Sequence, residues 1–300
     1  MSVGEMQACL ARLYVNEPLR KLFHIDPSMV LDSYRLTTQE ADAIKGIDRA
    51  ELDMFAGSLL AKRRKKVERA YPLLFSLDES EIRRYYSRFY HLYAAKPHEP
   101  WHQDAIHFGL FMEESLANAE HLPPYAAELA KYERLLYAAK VALAAASRDT
   151  ADATTGQSVK LHDSGTLPRL APDVVVADFH YDFGKIEDAV EAGQPPDLAN
   201  LEPGNASLVF RPATSLSSLH LLRINPPTRA ILEFCDGSRT VSAIIAATEA
   251  ALHAPGNAEG IVAAIQHLLS LQVLTLDVPQ VAETSAQYNA EMGASRVESI

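Results

Sequence analysis

Three histidines, His98, His102 and His107, lie close together with Asp104, and Glu113 follows shortly after. A metal site built from them would need at least three ligands converging from one side. The spacing opposes this. Pro100 stands between His98 and His102 and breaks any shared helical face. His102 and His107 are five apart and diverge around a helix. Ordinary surface and core-edge histidines are therefore expected, with no metal ligand assigned. The chain contains no HExxH, GxSxG, GxGxxG or P-loop pattern, so no catalytic residue is assigned either. Cys9 and Cys235 are the two cysteines and form no CxxC, which excludes a cysteine-built metal site and fits a reducing compartment.

The main basic feature is the run Lys62-Arg63-Arg64-Lys65-Lys66, continued by Arg69 and then Arg83, Arg84 and Arg88. One reading is a solvated helix face. The functional reading is electrostatic docking of an acidic partner through Arg63, Lys66 and Arg84. A tyrosine-rich helix follows the run. Tyr85, Phe89 and Tyr93 recur at four-residue spacing and are expected in the core. Tyr86 and Tyr90 lie to one side and are candidate interface anchors, since Tyr is enriched at interfaces.

Formal net charge is −11, and it is unevenly spread. Residues 1–147 hold 19 Lys+Arg against 20 Asp+Glu. Residues 171–280 hold 5 against 13, a net −8. Such a region repels a phosphate backbone, because nucleic-acid affinity is carried by Lys and Arg contacts. Apolar residues make up 48% and charged ones 22%, the composition of a globular protein. No apolar run reaches the roughly 18 residues of a membrane span. The first residues lack the apolar stretch of a signal peptide, so a cytoplasmic location is expected.

The elements that must position these residues change character midway. Leu52, Phe55, Leu59, Leu60 and Val67 recur at three- and four-residue spacing, the mark of a helix with one buried stripe. Thr37 with Glu40, Asp48 with Glu51, and Asp78 with Glu81 read as helix starts. Further helices are predicted over 79–93, 101–116 and 125–146. Residues 1–147 therefore read as an all-helical domain. Residues 148–170 are rich in Ser, Thr, Asp and Gly and read as a linker.

Strand signals then appear at 174–183, 207–212 and 217–225, where β-branched and aromatic residues alternate with polar ones. Helical periodicity returns over 227–236, 240–252 and 257–274, with Gly237 as a stop. Residues 279–300 are polar and expected to be disordered. The fold class is α+β: an all-helical domain, then a winged-helix module over 171–278 made of a three-stranded antiparallel sheet and three helices.

The string from Leu219 to Asn225, the helix Ala230 to Cys235, Asp236-Gly237, and Arg239-Thr240-Val241 together resemble the PqqD-like RiPP recognition element. The resemblance covers about 206–276. It implies binding of a precursor peptide's leader by strand addition. The implied edge strand is 218–224, with Leu219, His220, Leu221, Leu222 and Arg223 as contacts. Leu219, Leu221 and Arg223 share one face; His220, Leu222 and Ile224 share the other; either could meet the peptide. The implied groove wall is Ile261, Ile265, Leu268 and Leu269, whose plain reading is core.

Tyr71-Pro72-Leu73, the run Tyr85 to Tyr93, and Tyr125 with Glu128, Leu129, Ala130 and Glu133 resemble the helical domain of partner subunits of multinuclear non-heme iron oxidases. In that family the same chain continues into a degenerate recognition module, as in the methanobactin and 3-thiaglutamate partners. The resemblance implies a heterodimeric, non-catalytic partner with no cofactor of its own, the iron lying on the enzyme. Residues 20–60 are also similar, over a short stretch, to the small helical subunit of ring-opening dioxygenases. A winged-helix DNA-binding regulator is the alternative, and the acidic module opposes it.

Overall fold

The computed structural model describes residues 3–93, 100–149, 166–192, 194, 197–198, 201–212 and 221–277. Contacts divide the chain into two units: Met1–Ala151 with Val175–Arg223, and Asp152–Val174 with Ile224–Ile300. The architecture mixes helix and sheet.

The described helices of residues 1–151 are α1 (Val3–Val15), α2 (Glu17–Ile25), α3 (Pro27–Leu31), α4 (Thr38–Lys45), α5 (Arg49–Ala70), α6 (Pro72–Leu77), α7 (Glu79–Leu92), α8 (Trp101–Leu116) and α9 (Ala126–Asp149). Local chemistry explains their starts. The Thr37 side chain accepts from the Glu40 N–H while the Glu40 carboxylate takes the Thr37 N–H, a complete capping box. Asp48 caps α5 and Asp78 caps α7 in the expected manner. Pro72 follows Tyr71 and stops α5, since proline cannot continue a helix.

Among the described residues, hydrophobic clusters join these helices to one another. Cys9, Leu13, Phe23, Ile44 and Leu52 join α1, α2, α4 and α5. Tyr71, Ile82, Tyr86, Phe89, Phe108 and Met112 join the helices from α5 to α8.

The first unit continues with β2 (Val175–Tyr181), α10 (Gly184–Glu191), β3 (Pro203–Phe210) and β4 (Leu221–Ile224) up to Arg223, the last residue of β4 being counted with the second unit; β1 (Leu167–Leu170) precedes them in the chain. These three strands form a sheet in the order β2-β3-β4. β2 and β3 are antiparallel, with Val175 opposite Phe210 and Ala177 opposite Leu208.

The sequence reading grouped Val174–Asn225 with the C-terminal helices, whereas by contacts Val175–Arg223 belong with the first 151 residues. The reason is aromatic. Phe179, Phe183, Phe210 and Leu221 form one cluster with Leu129, Tyr132 and Leu135 of α9. The Tyr132 ring stacks on Phe183 at 5.3 Å between centroids and meets Phe210 edge-on at 6.0 Å. A sheet with so apolar a face must be covered, and α9 covers it. α10 was not anticipated from sequence.

The second unit contains β1, α11 (Pro226–Phe234), α12 (Val241–Leu252), α13 (Ala258–Ser270) and β5 (Leu274–Asp277). β1 pairs antiparallel with β5, Leu167 opposite Asp277 and Leu170 opposite Leu274. Residues 167–170 were expected to belong to a linker, and they form a strand instead. Asn225 caps α11 by accepting from the Thr228 N–H at 2.9 Å. Gly237 adopts φ +79°, which favours glycine, and its N–H donates to the Pro168 carbonyl at 3.0 Å. Among the described residues no helix is long and apolar enough to cross a membrane. The tail expected to be disordered, 279–300, and most of the expected linker lie outside the described residues.

Candidate functional site

β4 is last in its strand order, so among the described residues it has a strand neighbour on one side only. An edge of this kind presents unpaired N–H and C=O groups in a row. Leu221 is buried and belongs to the aromatic cluster against α9. Leu222 and Ile224, on the opposite strand face, are half-buried, and Arg223 is exposed. The sequence left open which face could meet a peptide. Leu221 is committed inward, which leaves Leu222 and Ile224 as the apolar residues with remaining surface. Leu219 and His220 lie outside the described residues.

Arg223 has a partner that the sequence did not reveal. Its Nη2 lies 2.9 Å from Oδ2 of Asp182, whose side chain is 12% exposed while that of Arg223 is 56% exposed. Gly184 packs against the pair. A Cβ at that position would stand 3.3 Å from Oδ1 of Asp182 and 3.5 Å from Cδ of Arg223. Oδ1 of Asp182 is itself buried and accepts no hydrogen bond from the described residues. The guanidinium thus reaches past a less exposed carboxylate and keeps more than half of its own side chain exposed.

Ile261, Ile265 and Leu268 are buried and Leu269 is half-buried. α13 packs on α11, α12 and β5 within its unit. Three of the four residues nominated as a groove wall therefore expose almost no surface.

The nominated docking residues of the first unit fare differently from one another. Tyr86 and Tyr90 are 2% and 6% exposed, which corrects the expectation that their rings face outward. Tyr93, expected in the core, is 43% exposed. Arg63 is turned inward as well. It forms a two-pronged ion pair with Asp104, donates to the Tyr93 carbonyl at 3.1 Å and stacks 5.1 Å from the Tyr90 ring centre. This is an internal tie between α5, α7 and α8, not a free docking cation. Lys66 and Arg84 are exposed, and Arg84 pairs with Glu81 at 2.7 Å.

Asp104 and Glu113 are consumed by ion pairs, with Arg63 and Arg134 respectively. His98 lies outside the described residues. Among the described residues no three of His, Cys, Asp and Glu converge as metal ligands would.

The most perturbed carboxyl in the first unit is Glu133 of α9, which is 3% exposed. It accepts the Leu73 N–H at 2.8 Å and the Leu74 N–H at 2.9 Å. Tyr71, the residue before α6, caps nothing with its side chain, so α9 supplies the cap that α6 lacks. Burial pushes the Glu133 carboxyl up to about 8, while the two amides pull it down. It borders a cavity of about 230 Å³ that Tyr132, Tyr137 and Lys140 also line. Because both carboxylate oxygens already hold backbone donors, the arrangement is structural.

No family model matches the chain, and no curated protein gives a significant match.

Proposed function

We propose that this chain is the non-catalytic partner of an iron-dependent oxidase that modifies cysteine in a ribosomally made peptide. Its strand edge holds the leader segment of the precursor, and its helical part docks the enzyme. The iron and its ligands belong to the enzyme. The C-terminal region is a recognition module of winged-helix type.

The observation that carries this reading is β4. It is a short strand at the end of its sheet, with a half-buried apolar pair, Leu222 and Ile224, on one face and an exposed arginine on the other. That is the surface a peptide needs to add as a further strand: main-chain groups give affinity, and alternate side chains give choice. The net charge of −8 over residues 171–280 favours a peptide over a phosphate backbone. Holding the leader raises the local concentration of the reacting cysteine at the enzyme, which is the physical benefit of a separate recognition surface.

The test is titration of short peptides encoded beside the gene into the full-length chain, followed by fluorescence anisotropy. Binding in the micromolar range, weakened about tenfold or more by Leu222→Asp, supports strand addition at β4, since a charge placed on an apolar contact is costly to bury. Equal binding by the variant refutes it.

A further inference from the structure

We infer that Arg223 selects peptides carrying an acidic residue between two apolar ones, in the pattern apolar–acidic–apolar. The inference rests on the strand-addition reading above and specifies which peptide that edge accepts. Successive side chains of a strand point to opposite faces. A peptide added alongside β4 therefore meets Leu222 and Ile224 on one face and Arg223 on the other. Residues directly across from each other have Cβ atoms about 5 Å apart, and opposite charges there are favourable.

Two features of the site make Arg223 a reader of charge and not only a surface residue. First, its guanidinium is anchored, since Asp182 holds one end at 2.9 Å. Anchoring reduces the rotamer entropy that a free arginine loses on binding. Second, Asp182 sits low, at 12% exposure against 56% for Arg223, so the cation covers the anion and presents itself outward. A guanidinium suits a carboxylate, which it can grip with two parallel hydrogen bonds.

The chemistry also sets what is rejected. A lysine or arginine opposite Arg223 repels it, and a polar residue opposite Leu222 or Ile224 strands a donor or acceptor against an apolar side chain.

Selection of a random twelve-residue peptide library on the full-length chain tests this, with Arg223→Leu and Arg223→Glu selected in parallel. The expected result is enrichment of apolar–acidic–apolar triplets on the native chain. An acid-to-amide change in a selected peptide should weaken it about fivefold. That preference should vanish on Arg223→Leu and reverse toward lysine or arginine on Arg223→Glu. Enriched alternating peptides with no acidic preference, or a preference that both variants retain, would overturn the role of Arg223 while leaving strand addition standing. No enriched alternating peptide on any of the three chains, each folded by circular dichroism, would overturn strand addition and this inference with it.

Discussion

The Glu133 carboxylate of α9 accepts the backbone N–H of Leu74 at 2.9 Å and so closes the start of a helix almost sixty residues earlier in the chain. A buried acid in that position couples the first unit's stability to pH. Burial raises its pKa to about 8, from 4.5 for a free glutamate. Between those values the folded chain keeps a proton that the unfolded chain has released. This contribution to stability is therefore fully present below about pH 4.5 and declines as pH rises to about 8. Glu133→Gln cannot ionise, but its amide turns a donor toward one backbone N–H. The variant should be less stable than the native chain by about 1–3 kcal/mol at pH 5. The gap should narrow by pH 8.5. Urea unfolding at both values checks this, and a constant gap would refute the ionisation account.

Arg63 and Asp104 form a largely buried pair, each about 15% exposed. Removing one partner strands the other. Arg63→Met or Asp104→Leu alone should cost about 2–4 kcal/mol, and the double substitution less than the sum of the two. Additive losses in a denaturation cycle would mean that the pair is not coupled.

α8 and α9 approach closely at Gly109. A Cβ there would come within 2.9 Å of Cβ of Arg134 and would collide with the Tyr71 hydroxyl. That hydroxyl donates to the Ala105 carbonyl at 2.6 Å, so it has little room to move. Gly109→Ala should destabilise by roughly 1–3 kcal/mol, despite alanine's better helix propensity. A rise in melting temperature would contradict the packing described.

Both cysteines are buried, and burial raises both thiols, Cys235 to about 12. Thiolate is the reactive form. A thiol reagent at pH 7.5 should label neither cysteine in the native chain and both once it is unfolded in urea. Rapid labelling of the folded chain would show that one of them is accessible.

How much of this was legible beforehand depended on how local the cause was. The capping pairs Thr37–Glu40, Asp48–Glu51 and Asp78–Glu81 were readable because a cap and its target lie three residues apart. The strand β2 followed from alternation, whereas β3 was read only from Ser207, because Pro203-Gly204-Asn205 looks like a turn and is instead the start of the strand. Tyr86 and Tyr90 were misjudged because α7 buries the stripe Ile82, Tyr86, Phe89 and Tyr90, and a helix this rich in aromatics offers two stripes to choose from. β1 was hidden in a polar segment because its pairing partner, β5, is about a hundred residues away. The assignment of the sheet to α9 depended on Tyr132 meeting Phe183, a contact no spacing rule reveals. Glu133 looked like one more helix-forming residue, because its burial and its two amide donors arise only in the fold. At β4, the edge strand was legible as a stretch of sequence, but Asp182, which pairs with Arg223, was not.

The measurement that bears most directly on the proposed role is co-expression of the tagged full-length chain with the enzymes and short peptides encoded beside it, followed by affinity purification, metal analysis and mass spectrometry of the peptide. The account predicts that an iron-containing enzyme is recovered with the chain and that the peptide is modified only when both proteins are present. Modification that depends on the chain should also fall with Leu222→Asp. Recovery of the chain alone, or modification at the same rate without it, would contradict the account.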